Sequence, residues 1–259
     1  MEKLIREKIS SLLSEEEEVL SVEQLGGMTN QNYLVKTTSK PYIVKFFGKG
    51  TEKLINRQDE KYNLELLKDL NLDVKNYLFD IESGIKVNEY IDSATTLDST
   101  SIKTKFEKIA PILQTIHRSG KELRGEFAPF EEIKKYESLI EGNIPYANYE
   151  AVRKEVFSLE KRLADLDIDK KSCHIDLVPE NFIESPQGRM YLIDWEYSSM
   201  NDPMWDLAAL FLESEFTNQE EEDFLTYYES DKTPVSREKI QIYKILQDTI
   251  WSLWTVYKE

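Results

Sequence analysis

The chain has 259 residues, 32% of them charged and 40% hydrophobic, enough for one large or two modest domains with real cores and globular rather than disordered in composition. A formal net charge of −16 disfavours nucleic acid and anionic membranes as partners, since both would be repelled, and suits a cationic small substrate or simply a protein kept soluble by its acidity. No run approaches the apolar length needed to span a bilayer, the N-terminus has no signal-peptide core, and the single Cys173 rules out an internal disulfide, so a cytoplasmic location is expected.

Leu4, Ile5, Ile9, Leu12 and Leu13 recur at helical spacing, and the charge run at residues 15–18 leads into a strand at residues 20–25. Gly26-Gly27-Met28-Thr29-Asn30 then interrupts two β-type runs, which predicts a hairpin whose glycines either make a plain turn or let the backbone pass close to a ligand. Residues 42–47 form a strand with Lys45 in its apolar middle, an expensive place for a cation without an anionic partner. A helical run carries Ile55, Tyr62, Leu66 and Leu67, and residues 76–79 and 84–90 read as another strand pair joined by an acidic turn. From Ser101 onward the pattern is helical. Phe106, Ile109, Ala110, Leu113 and Ile116 trace a stripe ending at Ser119-Gly120, with His117 read as structural, and residues 129–140 and 149–166 are further amphipathic helices.

The stretch from His174 to Asp206 concentrates polar residues around an otherwise apolar hairpin. Residues 181–183 and 189–193 read as two short strands, with Glu184-Ser185-Pro186-Gln187-Gly188 as the turn. Asp176 and Asn181 lie before the hairpin and Asp194 just past it, so folding back brings all three to the same end. Each alone could be a turn or capping residue. Together, two carboxylates and an amide oxygen suit a hard cation such as Mg²⁺ and leave one carboxylate as a base. Pro203 opens a mostly buried helix carrying Asp206 and Glu213, and a last helix places Trp251 and Trp254 three apart, on one face.

His-x-Asp-x-x-x-x-Asn followed by a hairpin and Ile-Asp resembles the catalytic and metal-binding segments of the kinase-like phosphotransferases. The continuation Asp-Trp-Glu-Tyr-Ser-Ser-x-Asn-Asp, with Asp206 and Glu213 beyond it, is closer still to choline and ethanolamine kinases, and Gly-Gly-x-Thr-Asn resembles their phosphate-covering loop. The resemblance implies an α+β, bilobal, protein-kinase-like fold: a small antiparallel-sheet lobe over residues 1–90 that binds nucleotide, and a larger, mainly helical lobe over residues 91–259 for catalysis and choline binding. It implies that Thr29, Asn30 and Lys45 meet the nucleotide phosphates, that Glu60 of the Arg57-x-x-Glu60 run partners Lys45, and that backbone groups at Glu89 and Ile91 meet adenine. Asp176 becomes the residue that accepts or orients the hydroxyl proton, Asn181 and Asp194 the Mg²⁺ ligands, and Asp206 and His174 structural support.

A quaternary ammonium offers no N–H donors, so its recognition needs aromatic faces and nearby negative charge. Two indoles on one helical face serve core packing or such a pocket, and Trp251-x-x-Trp254 resembles the choline-kinase pattern, with Asp176, Glu196 and Glu213 to supply the charge. Choline is therefore the expected acceptor, with ATP and Mg²⁺ as cofactors. Ethanolamine is the nearest rival; thiamine and aminoglycoside kinases share the His-x-Asp frame, and a nucleotide-binding module without catalysis is the reading outside the enzyme class. One departure is Val178, where many animal choline kinases carry a polar residue. The oligomeric state is not readable from these motifs.

Overall fold

The computed structural model describes residues 2–26, 30–230 and 232–258. By contacts they divide into two units, Met1–Thr95 with Ile183–Glu196, and Thr96–Phe182 with Tyr197–Glu259.

In the first unit, β1 (Val19–Gln24), β2 (Gln31–Thr37), β3 (Tyr42–Phe46), β4 (Asn76–Asp80) and β5 (Ile85–Glu89) form an antiparallel sheet in the order β1-β2-β3-β5-β4. The helix α1 (Glu2–Ser10) buries Ile5 and Ile9 against Val35, Tyr42, Val44, Ile85 and Val87. Leu12 and Leu13, expected on this helix, lie in a turn beyond its end and still pack on the same core. Successive side chains in a strand point to opposite faces, so Lys45 and Lys86 project from the face away from α1. There Lys86 meets α2 (Arg57–Leu67), which starts at Asn56, whose side chain caps the amides of Gln58 and Asp59 at 3.1 and 3.3 Å. The buried positions of α2 are Arg57, Glu60, Asn63 and Leu67, one helical face that is mostly polar and therefore stable only with partners.

The strands Phe182–Glu184 and Met190–Leu192 pair as a short hairpin, with Gly188 at φ +81° supplying the left-handed turn residue. The Leu192 amide donates to the Leu72 carbonyl at 2.9 Å and Arg189 Nη2 to the Asn71 carbonyl at 2.9 Å. Those bonds attach the segment Ile183–Glu196 to the loop before β4, far away in sequence.

The second unit is helical: α3 (Phe106–His117), α4 (Pro129–Leu139), α5 (Tyr149–Ala164), α6 (Pro203–Glu213), α7 (Asn218–Tyr228) and α8 (Arg237–Lys258). Every residue of α6 from Pro203 to Phe211 is buried, which is why its sequence, Asp206 apart, is apolar all round rather than striped. It packs on α8, which also meets α4 and α5, while α3 packs with α7. Asp202 caps α6 through the Met204 amide at 2.9 Å and pairs with the buried Lys239 of α8 at 2.7 Å. The helix α7 escaped the sequence reading because its first half is a charge run; its signal is the capping box formed by Thr217 and Glu220. Among the described residues no helix is long and apolar enough to cross a membrane.

Candidate active site

Lys45 and Lys86 face each other as direct partners in the β3–β5 ladder, and both are buried. Two like charges side by side repel, and each needs its own carboxylate. Lys45 Nζ lies 2.6 Å from Asp194 Oδ1, and Lys86 Nζ lies 2.7 Å from Glu60 Oε1. Glu60 thus does not meet Lys45, contrary to the expectation from the family pattern: the helix presents it to the neighbouring strand. Its other oxygen accepts from Arg57 Nη1 at 2.6 Å. Burial alone would raise the Glu60 carboxyl, but Lys86 and Arg57 outweigh it and hold the group below its ordinary value. Burial would likewise lower Lys86, yet Glu60, with Asp194 and Glu196 beyond it, keeps that ammonium above its ordinary value.

Arg57 continues the network to Glu196 Oε2 at 2.9 Å, and its guanidinium lies 4.0 Å from the centre of the Phe47 ring. Asn30 Nδ2 donates to both Glu196 oxygens at 3.1 and 2.9 Å, and the Gly48 amide donates to Asn30 Oδ1 at 3.2 Å. Glu196, expected to offer negative charge to a substrate, is instead buried and committed to Asn30 and Arg57 in the first unit. Its place two residues after Asp194 explains this, because Trp195 is buried with its Nε1 on the Leu192 carbonyl at 2.8 Å and fixes which way the segment turns. Asp194 itself sits at φ +68°, a left-handed conformation uncommon among non-glycine residues. Thr29, assigned to the phosphates, lies outside the described residues.

Asp73 was not singled out from sequence. Burial pushes its carboxyl from the ordinary 3.8 up to about 7, with Asp194 adding to the effect and Lys86, the Val74 amide and Lys45 opposing it. A folded-state value above the unfolded one means that the folded chain keeps its proton longer, so stability falls as pH rises from about 4 to about 7. Asp73→Asn should therefore raise the thermal midpoint relative to wild type above pH 7 but not below pH 4; midpoints measured across that range would show a constant gap if the carboxyl were not the cause.

In the second unit, the strand Lys171–Cys173 pairs with Ser199–Asn201 and leads into the loop of His174 to Asn181. Ile175, a β-branched residue, stands at φ +78°, an outlier that must be held in place. The holder is Asp206, fully buried on α6. Its Oδ1 accepts the Ile175 amide at 2.8 Å, and its Oδ2 accepts the His174 amide at 2.8 Å and His117 Nε2 at 3.0 Å. Tyr228 Oη lies 2.7 Å from His117 Nδ1, and Trp205 Nε1 donates to the Ile175 carbonyl at 3.0 Å. His117, at the end of a core stripe, and Tyr228 therefore steady the carboxylate that steadies the loop; neither could be linked to Asp206 from spacing alone. The nearby Cys173 thiol is pushed well up by burial, then by Asp206 and Asp202, and stays neutral.

Asp176 is half-buried on this loop, and Asn181 Nδ2 donates to its carbonyl at 2.9 Å. The Asn181 amide oxygen and the Asp194 carboxylate are each a hard donor of the kind Mg²⁺ takes.

Trp251 and Trp254 on α8 are both half-buried. The Trp251 ring meets Tyr197 edge-on with centroids 6.1 Å apart, the Tyr136 and Tyr257 rings lie 6.5 Å apart, and Lys258 Nζ is 5.9 Å from the Trp254 ring centre. Burial, and then the charge of Glu132, raises the Tyr136 phenol, while a hydrogen bond with Tyr197 and the charge of Asp176 also act on it, so Tyr136, Tyr197 and Asp176 share one neighbourhood. Glu213 ends α6; burial of its carboxyl and the neighbouring Asp248 and Glu180 raise its pKa. Sequence reasoning had named Glu213 but missed Tyr136, Tyr197 and Asp248. Tyr197 stands inside the quoted Asp-Trp-Glu-Tyr motif, which was the available signal.

Comparison with known proteins agrees with this geometry. A family model described as choline/ethanolamine kinase matches residues 22–244. The chain is similar to the crystal structure of choline kinase LicA from Streptococcus pneumoniae, with 88% identity and a TM-score of 0.96, covering 100% of this chain and 90% of that one. It is equally similar to the crystal structure of LicA in complex with AMP, at 89% identity and a TM-score of 0.93 over 99% and 89% of the two chains. Protein LicA of Haemophilus influenzae is 29% identical over 247 residues, which is 91% of this chain and 72% of that protein. Spectinomycin phosphotransferase, at 12% identity and a TM-score of 0.62, shares the fold alone. An antiparallel sheet followed by a helical unit, the strand lysine, the braced His-x-Asp loop and the match over residues 22–244 lead to one assignment: this chain has the protein-kinase-like fold and belongs to the choline/ethanolamine kinase family of ATP-dependent phosphotransferases that act on an alcohol group.

Proposed function

We propose that the protein is a choline kinase, transferring the γ-phosphoryl group of ATP to the choline hydroxyl to give phosphocholine and ADP. The observation that carries this reading is the edge-on meeting of Tyr197 and Trp251 in the unit that holds Asp176, with the acids Glu180, Glu213 and Asp248 present in the same unit. Aromatic faces with nearby carboxylates are what a trimethylammonium group requires. Residues 1–90 are the proposed nucleotide-binding part and residues 91–259 the catalytic and choline-binding part.

In the proposed reaction the Asp176 carboxylate takes the proton of the choline hydroxyl as its oxygen bonds to the γ-phosphorus and the bond from that phosphorus to the ADP oxygen breaks. Asp206 and His117 keep the Asp176 loop in its strained conformation while this happens. Lys45 steadies the phosphates, and Thr29 and Asn30 belong to the loop that covers them. The Glu89 amide is spent on the Lys75 carbonyl at 2.8 Å, which leaves the Glu89 carbonyl and the Ile91 amide as the groups proposed to meet adenine. Asn181 and Asp194 would hold Mg²⁺, which when bound offsets phosphate charge and orients the transferring group. The location consistent with these substrates is the cytoplasm.

A coupled ADP-release screen over choline, ethanolamine, thiamine and aminoglycosides tests the proposal. Choline should give the highest kcat/KM; a preference for ethanolamine would mean that the carboxylates rather than the rings select the acceptor. Trp251→Ala and Trp254→Ala should each raise KM for choline more than KM for ATP, with the larger effect at Trp251, which meets Tyr197. Equal effects on both substrates would point to packing.

A further inference from the structure

The face of the sheet that meets α2 carries two lysines where the family pattern asks for one. Lys45 and Lys86 are ladder partners, only 7% and 3% exposed, and each ammonium repels the other. Glu60 holds Arg57 on one oxygen and Lys86 on the other, so both of its oxygens are engaged, and Lys45 goes to Asp194. Remove the Lys86 charge, and Glu60 would have an oxygen to offer the cation on the adjacent strand. We propose that Lys86 is a positioning residue for phosphoryl transfer: by occupying Glu60 it keeps the Lys45 ammonium on the Asp194 side, available to the nucleotide phosphates. The inference rests on the reading of Lys45 as the phosphate lysine.

Steady-state ADP release with choline tests it through a double-mutant cycle. Lys86→Met should raise KM for ATP about tenfold while KM for choline stays put, whereas the same change made in a Glu60→Gln background should raise it less than about twofold, because no carboxylate then competes for Lys45. Lys86→Arg, which keeps a cation on Glu60, should rescue KM for ATP. A lysine that merely supports the fold would shift both KM values together and would not lose its effect when Glu60 is neutral. An equal penalty in both backgrounds, or an unchanged KM for ATP, overturns the proposal. Should the methionine variant not fold, Lys86→Gln, which leaves a donor for Glu60, must show the same background dependence at smaller size. Lys45→Met separates the two levels: if it leaves KM for ATP unmoved, the phosphate-lysine reading itself fails, and if it raises KM while Lys86→Met does not, only the role of Lys86 falls.

Discussion

Asp176→Ala is expected to lower kcat with choline by on the order of 10²- to 10⁴-fold, the usual worth of a positioned general base, while the thermal midpoint hardly moves. The separation of the two readouts follows from the contacts. Asn181 Nδ2 donates to the Asp176 carbonyl at 2.9 Å, a loop contact that survives the substitution. Asp176 is half-buried, and the carboxylate that holds the His174 and Ile175 amides is that of Asp206. Asp176→Asn should fall nearly as far, since an amide hydrogen-bonds but does not take the proton. Turnover within a few-fold of wild type for either variant would remove Asp176 from the mechanism.

The second large effect belongs to Asp206 and differs in kind. Asp206→Ala should cost about 3–5 kcal/mol of unfolding free energy, because it strands a buried histidine and two buried amides at once. It should lower kcat as well, since Ile175 at φ +78° has no reason to keep that conformation without its acceptor. Urea unfolding with parallel turnover measurements distinguishes the two aspartates: loss of activity alone at Asp176, loss of both at Asp206. An Asp206→Ala protein as stable as wild type would mean that the strained turn is held by other contacts, with Trp205 on the Ile175 carbonyl the first to examine.

The Lys45 neighbourhood shows how a correct local reading can still yield a wrong pairing. A lysine in an apolar strand announces that it needs a carboxylate, and the acidic candidates lie in the right segments. Which carboxylate it takes depends on Lys86, a residue on a strand 41 positions later that looked unremarkable in sequence and lands opposite Lys45 only through the register of β3 and β5. Glu196 was misread for the same reason. Its exposure and partners follow from the burial of Trp195 and from Arg57 on a distant helix, and neither is encoded near Asp-Trp-Glu.

The sequence by itself determined the local chemistry of this protein: the strands that alternate around Lys45, the apolar run of α6, and the order Asp176, Asn181, hairpin, Asp194. These depend on side-chain periodicity, turn residues and motif spacing, all properties of short stretches. Only the tertiary structure decided who pairs with whom. It assigned Glu60 to Lys86, Glu196 to Asn30 and Arg57, His117 to Asp206, and Tyr197 to Trp251. The physical reason is that a buried charge or ring is satisfied by whatever the fold brings within a few ångströms, and sheet register and helix packing set that neighbourhood with no trace in the sequence around either partner.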